Sequence, residues 1–491
     1  MEWLGPYLPA LLFASLAILL FSGYPVAFVL GGLGLIFGFI AYFVDPWLFD
    51  IAQFGTLPGR IFGGIAENLI LTAIPMFIFM GTMLEKSGVA RDLLNCLQVL
   101  LRRVPGGLAL AVTLMGTILA ATTGIIGASV VMMSLLALPV MMQRGYAPTL
   151  STGTIAASGT LGILIPPSIM LVIMADLLSR SVGNLFVAAI IPGFMLSGMY
   201  VVYIIIASIL KPEIAPKLPA ELGPQSTSQY FLMLARSFVP PVFLITCVLG
   251  SILGGFATPT EAAGVGAAGA VILAFVNLVL LPSLGVPEFH FDGEAKAEFD
   301  DHPTGNGFIA DSKHFWGVLS DVVMRTALTN GMLFGIFVGA TLFSYMFRAL
   351  GGEAQVDAFI EHLGLGPWGL LFMLMGVVFV LGFFLDWIEI TLIVLPVFAP
   401  IIAGLDFGDH VAKSEVTYWF AILLAVNLQT SFLTPPFGFA LFYMKAVAPP
   451  EIKIQHIYRG IIPFVLIQIL AVILVMTFPE LALWLPRTLL G

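Results

Sequence analysis

Apolar residues fill long, nearly unbroken runs at 7–28, 29–48, 66–85, 106–143, 149–180, 183–210, 237–254, 260–282, 319–350, 367–404, 416–449 and 460–485, with short polar connections between most of them. A helix of about 20 apolar residues spans the hydrocarbon of a bilayer. The pattern therefore predicts an all-α polytopic membrane protein with roughly eleven or twelve crossings. The runs at 106–143, 149–180, 367–404 and 416–449 are too long for one crossing and carry Gly, Pro or Thr near their middle. They are expected to be re-entrant hairpins or pairs of half-helices.

Composition sharpens this. Hydrophobic residues make up 59% and charged residues 10% of the chain, with a mean hydropathy of +1.07, whereas soluble domains carry about 25% charged residues. The net charge of -9 says little in so apolar a chain, and no basic stripe suggests nucleic acid. Cys96 and Cys247 are the only cysteines, which excludes a disulfide framework and a thiolate metal site. The first basic residue is Arg60, so the apolar N-terminus lacks a signal peptide's basic region and is expected to stay as a first span. Lys211, Lys217 and Arg236 place the segment 211–236 in the cytoplasm, and the acidic 45–59 region outside.

The chain repeats itself. Ala156-Ala157-Ser158-Gly159-Thr160-Leu161-Gly162-Ile163-Leu164-Ile165-Pro166-Pro167-Ser168 returns as Asn427-Leu428-Gln429-Thr430-Ser431-Phe432-Leu433-Thr434-Pro435-Pro436-Phe437-Gly438. Proline removes a helix donor and clashes with the preceding turn, so two helices break at matching places. Each copy follows a proline-bearing apolar run, Ser134–Met141 and Thr391–Phe398. The expected division is a first half at 1–283, with a hairpin tip near 123–129 and a break at 158–168, then a polar inter-repeat loop at 284–314, then a second half at 315–491 with a break at 427–438. His290, His302 and His314 in that loop match no ligand spacing and are read as solvated. If an odd number of crossings separates the copies, the repeats are inverted.

Broken helices persist in a bilayer only where the freed backbone faces protein or a wet cavity, and matched breaks are the best pointer to a secondary transporter's binding site. Small residues let carbonyls approach a cation, hydroxyls add hard oxygens, and the half-helix N-terminus after each break favours an anion. Asp386 and Glu389 share a helical face; at membrane depth they are ion-site candidates, and beside Trp387 they are equally read as a cap or interfacial anchor. Thr258 or Thr260 would cap a helix with Glu261 near its dipole. Arg180 and Lys445, each ending a helix after a Pro-Pro break, are read as snorkelling. Neither a HExxH, a GxSxG nor a phosphate loop is present, so no catalytic constellation and no ATP-driven pump are supported. An intramembrane enzyme using Asp386 and Glu389 as an acid–base pair stands as the competing class.

These motifs, Thr152–Ser168, Ala257-Thr258-Pro259-Thr260-Glu261-Ala262-Ala263 and Asn427–Phe437 in that order, resemble the large permease subunit of tripartite ATP-independent periplasmic (TRAP) transporters over nearly the whole chain. The resemblance implies inverted repeats, an elevator-type scaffold plus transport domain, and sodium-coupled uptake of a small organic anion, a carboxylate, delivered by a periplasmic substrate-binding protein. It further implies a small four-helix membrane subunit as partner, a bacterial inner-membrane location, no enzyme activity, and no cofactor beyond Na+ as coupling ion. Carried over by motif, sodium would meet Thr123, Gly124, Ser158, Gly159, Gly382, Ser431, Thr434 and Phe437. Substrate would meet Thr160, Gly162, Pro166, Pro167, Ser168, Thr430, Pro435 and Pro436. Family members often have glycine where this chain has Ser431. A stand-alone sodium- or proton-coupled carrier is the alternative transport reading.

Overall fold

The computed structural model describes residues 2–20, 22–123, 126–218, 226–284, 307–435 and 438–490. Among them there are helices and no strands. Twenty helices organise the chain: α1 Leu8–Leu20, α2 Val26–Val44, α3 Ala73–Lys86, α4 Val89–Leu101, α5 Gly107–Thr123, α6 Ile126–Gln143, α7 Pro148–Thr160, α8 Ile169–Leu177, α9 Val182–Leu210 and α10 Thr227–Ser237; then α11 Val239–Leu253, α12 Pro259–Phe275, α13 Phe308–Ala349, α14 Gly352–Leu363, α15 Pro367–Leu381, α16 Trp387–Gly404, α17 Val416–Leu433, α18 Phe439–Val447, α19 Ile454–Thr477 and α20 Glu480–Leu490. Nine helices among the described residues are long and apolar enough to cross a membrane alone, fewer than the sequence reading, because the longest apolar runs are divided by breaks.

The second ten helices repeat the plan of the first. Helices α4 and α14 each follow a left-handed glycine, Gly88 (φ 78°) and Gly351 (φ 80°), where a side chain would be strained. Packing partners correspond as well. α2 packs on α13 while α12 packs on α3; α7 packs on α19 while α9 packs on α17; α6 packs on α18 while α8 packs on α16. Each series thus supplies the other's neighbours, as a two-fold pseudo-axis requires. By packing partners the second series begins at α11. Residues 285–306 lie outside the described residues, and α13 already begins at Phe308. That polar connection joins α12 to α13 and is the counterpart of the stretch between α2 and α3.

Chain order fits an odd count before α11: with α1, α2, α3, the α7–α8 pair and α9 each read as one crossing and the packed pair α5–α6 as a returning hairpin, five crossings precede it. An odd count is what an inverted second series requires. Hydrogen bonds agree: Ala147 N–H to Ile214 O (2.9 Å), Asn277 Nδ2 to Ser87 O (2.8 Å) and Thr152 Oγ1 to His456 O (3.4 Å) join segments on one side. Asn68 Nδ2 to Asp176 Oδ1 (2.8 Å) and Arg180 Nη2 to Thr417 Oγ1 (3.4 Å) join segments on the other. Of the 18 Lys and Arg among the described residues, only Arg60, Arg180, Arg348, Lys413 and Arg487 fall on that second side. It is the outer face by the positive-inside rule.

Two groups of helices result. α1, α2, α3, α11, α12 and α13 pack into one; α5 to α9 and α15 to α19 pack into the other. The amphipathic α4 and α14 connect them. Lipid supplies no hydrophobic drive between helices, so close backbone approach at small residues does the work. At the α7–α19 crossing a Cβ on Gly153 would meet the Gly460 carbonyl, and one on Gly460 would meet the Thr149 carbonyl.

Candidate functional site

The two broken helices are the innermost parts of the molecule. Every residue from Leu150 to Ala175 is buried, as is every residue from Trp419 to Leu433. In the first break α7 ends at Thr160, tightens into a 3₁₀ turn at Leu161–Ile163, and resumes as α8 after a cis Pro166–Pro167 bond. In the second, α17 ends at Leu433 and α18 starts at Phe439. Each is flanked by an inward hairpin, α5–α6 opening to the cytoplasm and α15–α16 opening outward.

The hairpins press on the breaks. A Cβ at Gly116 of α5 would lie 2.7 Å from Ser158 Cβ and 3.1 Å from its carbonyl oxygen. A Cβ at Gly382, just after α15, would run into Ser431. Gly159 abuts Val130 and Met133 of α6 in the same way. Gly127, in the first turn of α6, lies against the Tyr443 ring of α18. Ser158, Gly159, Gly382 and Ser431, expected at the sodium sites, thus stand where hairpin and broken helix touch.

Their polar atoms differ. Ser158 Oγ is buried with no hydrogen-bond partner. Ser431 Oγ donates to Asn427 O (3.2 Å), Thr434 Oγ1 to Thr430 O (2.7 Å) and Thr430 Oγ1 to Val426 O (3.5 Å), each at i−4 within α17. Thr160 Oγ1 donates to Ala157 O (2.9 Å) and Ser168 Oγ to Ile163 O (2.7 Å). Such back-bonding parks a hydroxyl on its own helix and leaves its lone pairs available. Gly162, Pro166 and Pro167 line the buried first break, while Pro435 is exposed at the second. Gly124, Pro436 and Phe437 lie outside the described residues, as does the side chain of Thr123.

One residue was missed. Gln429 is fully buried in α17, and neither polar atom of its amide has a partner. It aligns with Thr160 when the two Pro-Pro pairs are superposed. A primary amide amid an apolar helix, one turn before a break, was the available signal. A buried group left unsatisfied costs about 1–3 kcal/mol, and the Gln429 amide keeps a buried donor and acceptor without a partner among the described residues. Its neighbour Asn427 donates from Nδ2 to Met375 O (2.8 Å) and ties α17 to α15.

Asp386 and Glu389 form a capping box at the start of α16. Asp386 Oδ1 accepts from Trp387 N (2.8 Å) and Glu389 Oε2 accepts from Asp386 N (3.1 Å). Thr258 and Glu261 make the same motif at α12, with Thr258 as the cap. Both acids near the hairpin tip are thus bonded to backbone, which favours the capping reading over an acid–base pair. Lys445 Nζ donates to Ile452 O (2.8 Å) and Arg180 lies 5.6 Å over the Tyr418 ring, so both cations brace the ends of the short half-helices.

Comparison with known proteins gives the frame. The chain matches the family described as "Tripartite ATP-independent periplasmic transporter, DctM component" over residues 13–481. It is 30% identical over 425 residues to the C4-dicarboxylate TRAP transporter large permease protein of Pseudomonas aeruginosa, covering 86% of this chain and 88% of the relative. It is 27% identical to the ectoine TRAP transporter large permease protein of Halomonas elongata, over 96% and 97% of the two chains. Its fold is similar to the crystal structure of the Alcanivorax borkumensis YdaH transporter, with a TM-score of 0.55 at 16% identity over 89% of each chain. Motifs, repeats and family agree, and the chain belongs to the tripartite ATP-independent periplasmic transporters as a large permease subunit.

Proposed function

We propose that this inner-membrane permease carries a small organic anion bearing a carboxylate, coupled to sodium and delivered by a periplasmic binding protein, alongside a small membrane subunit. The observation that carries the reading is the pairing of two matched helix breaks with buried polar atoms lacking partners among the described residues, Ser158 Oγ beside one and the Gln429 amide beside the other. Sodium would take hydroxyl and carbonyl oxygens around Ser158, Gly159, Gly382, Ser431 and Thr434. The anion would take the N-terminal amides of α8 and α18, with Thr160, Ser168 and Thr430 beside them. The helices α5–α9 and α15–α19 would move as a unit against the α2–α13 and α3–α12 scaffold. The relatives' names cover a C4-dicarboxylate, ectoine and isethionate, so a small acidic organic solute, rather than one compound, defines the class.

The test is reconstitution of the whole transporter in liposomes with labelled organic acids, an inward sodium gradient and the binding protein. Uptake that needs both supports the reading. Uptake without the binding protein favours a stand-alone carrier, and uptake indifferent to sodium removes the coupling.

A further inference from the structure

A cleft lies away from the breaks, near the outer face. It holds about 300 Å³ between α13 of the scaffold, the C-terminal end of α8 and the middle of α16, with the segment 60–65 as its rim. That volume fits a small ligand. Along α13 the residues Thr341, Ser344, Tyr345 and Arg348 recur at three- and four-residue spacing, so one helical face lines the cleft. Arg60 faces them, its guanidinium 4.7 Å over the Tyr345 ring.

The charges there are unevenly matched. Asp176, the acid of the opposite wall, accepts from Asn68 Nδ2 at 2.8 Å. Arg348 uses Nε on Glu353 (2.9 Å) and Nη2 on Pro396 O (3.3 Å). That carbonyl is free for a local reason: its intrahelical donor would be residue 400, which is a proline without an N–H. Two of the five guanidinium donors are thus occupied. Among the described residues Arg60 has no carboxylate within ion-pair distance. A planar guanidinium stacked on an aromatic ring keeps its edge donors for a carboxylate.

We propose that this cleft is an outer capture site for the carboxylate of a small organic anion, held by Arg60 and the remaining donors of Arg348 with the Ser344 hydroxyl. It rests on the reading that the cargo is an organic anion. It adds a station between the binding protein and the breaks, at the seam where scaffold and moving helices meet.

Thr341→Cys on a Cys247→Ser background reports occupancy, with Leu177→Cys on the opposite wall as a second reporter. The whole transporter, in phosphatidylcholine nanodiscs, is labelled with N-ethylmaleimide in rising succinate, lactate or fumarate. At least one anion is expected to slow labelling by about tenfold at ten times its Kd, as 1 + [L]/Kd requires. Arg60→Gln is expected to raise the half-protecting concentration by about tenfold or more, the loss of one charge-assisted hydrogen bond. If both reporters label at an unchanged rate while the intact transporter still takes up one of these anions, the capture site is wrong and the transport reading stands. Protection that depends on Arg60 without any uptake upholds the site and sinks the transport reading. Protection equal in wild type and Arg60→Gln overturns the site. So does slowing by phosphatidylglycerol discs alone, which would assign the cleft to a lipid headgroup.

Discussion

Replacing Gly116 with alanine tests the contact on which the first candidate sodium site rests. The added Cβ would stand 2.7 Å from Ser158 Cβ, 3.1 Å from Ser158 O and 3.3 Å from Met133 Sδ. Carbon atoms in contact prefer 3.5–4.0 Å, so the overlap with Ser158 Cβ is about 1 Å. Met133 can swing its thioether aside; the Ser158 backbone, fully packed within α7, cannot. Hairpin and broken helix must therefore separate, and overpacking of this kind costs about 1–3 kcal/mol. The expected outcome is a lower thermal midpoint in detergent and a raised sodium requirement for uptake in liposomes.

Ser158→Gly in the same chain removes the 2.7 Å overlap but not the carbonyl contact, so Gly116→Ala with Ser158→Gly should recover part of the lost stability. A double-mutant cycle isolates that coupling, expected at about 1 kcal/mol or more for residues in contact. Additive effects of the two substitutions, or a Gly116→Ala protein as stable and as sodium-responsive as the parent, would refute the hairpin-on-break geometry.

Three further outcomes are expected. Gln429→Leu removes two unsatisfied buried groups, so thermal stability should rise by about 1–2 kcal/mol while uptake falls; a destabilised variant with normal uptake would show that the amide is bonded within the fold. At Asp386, serine keeps an N-cap and alanine loses about 1 kcal/mol, so Asp386→Ser should retain sodium-coupled uptake and Asp386→Ala should melt earlier; a folded Asp386→Ser protein without sodium dependence would make the carboxylate an ion ligand. Burial pushes the Cys96 thiol up to about 11, and only the thiolate reacts, so N-ethylmaleimide at pH 8 should spare Cys96 in the folded protein, and its labelling should grow as pH rises towards that value or on unfolding.

Much of the fold was legible because its signals are local. The Pro-Pro pairs break α7 from α8 and α17 from α18 by chemistry that any neighbour would see. The spacing from Asp386 to Glu389 already contained a capping box, and the apolar runs set the helices. The repeat boundary was not local. The loudest polar stretch, 284–314, drew the division to itself, whereas the correspondence of the two series emerges only when α2 is seen against α13 and α12 against α3. Those pairings are made between residues hundreds of positions apart and leave no mark on composition.

The candidate site divides along the same line. Hydroxyls and glycines near the breaks could be named from the repeat, but which of them are spare could not. Ser431, Thr434 and Thr160 return their protons to their own helix, an i−4 or i−3 habit open to any serine or threonine. Ser158 does not, because Gly116 brings α5 so close that its hydroxyl is enclosed before it finds an acceptor. Gln429 faces the same enclosure with a longer side chain and two polar atoms. Ser158 and Gln429, buried polar residues without partners among the described residues, thus stand close to the two places where proline interrupts the backbone ladder, and Thr154 of α7 and Ser134 of α6 share that condition nearby. Local sequence creates the breaks, and only packing decides which polar atoms beside them stay free for cargo.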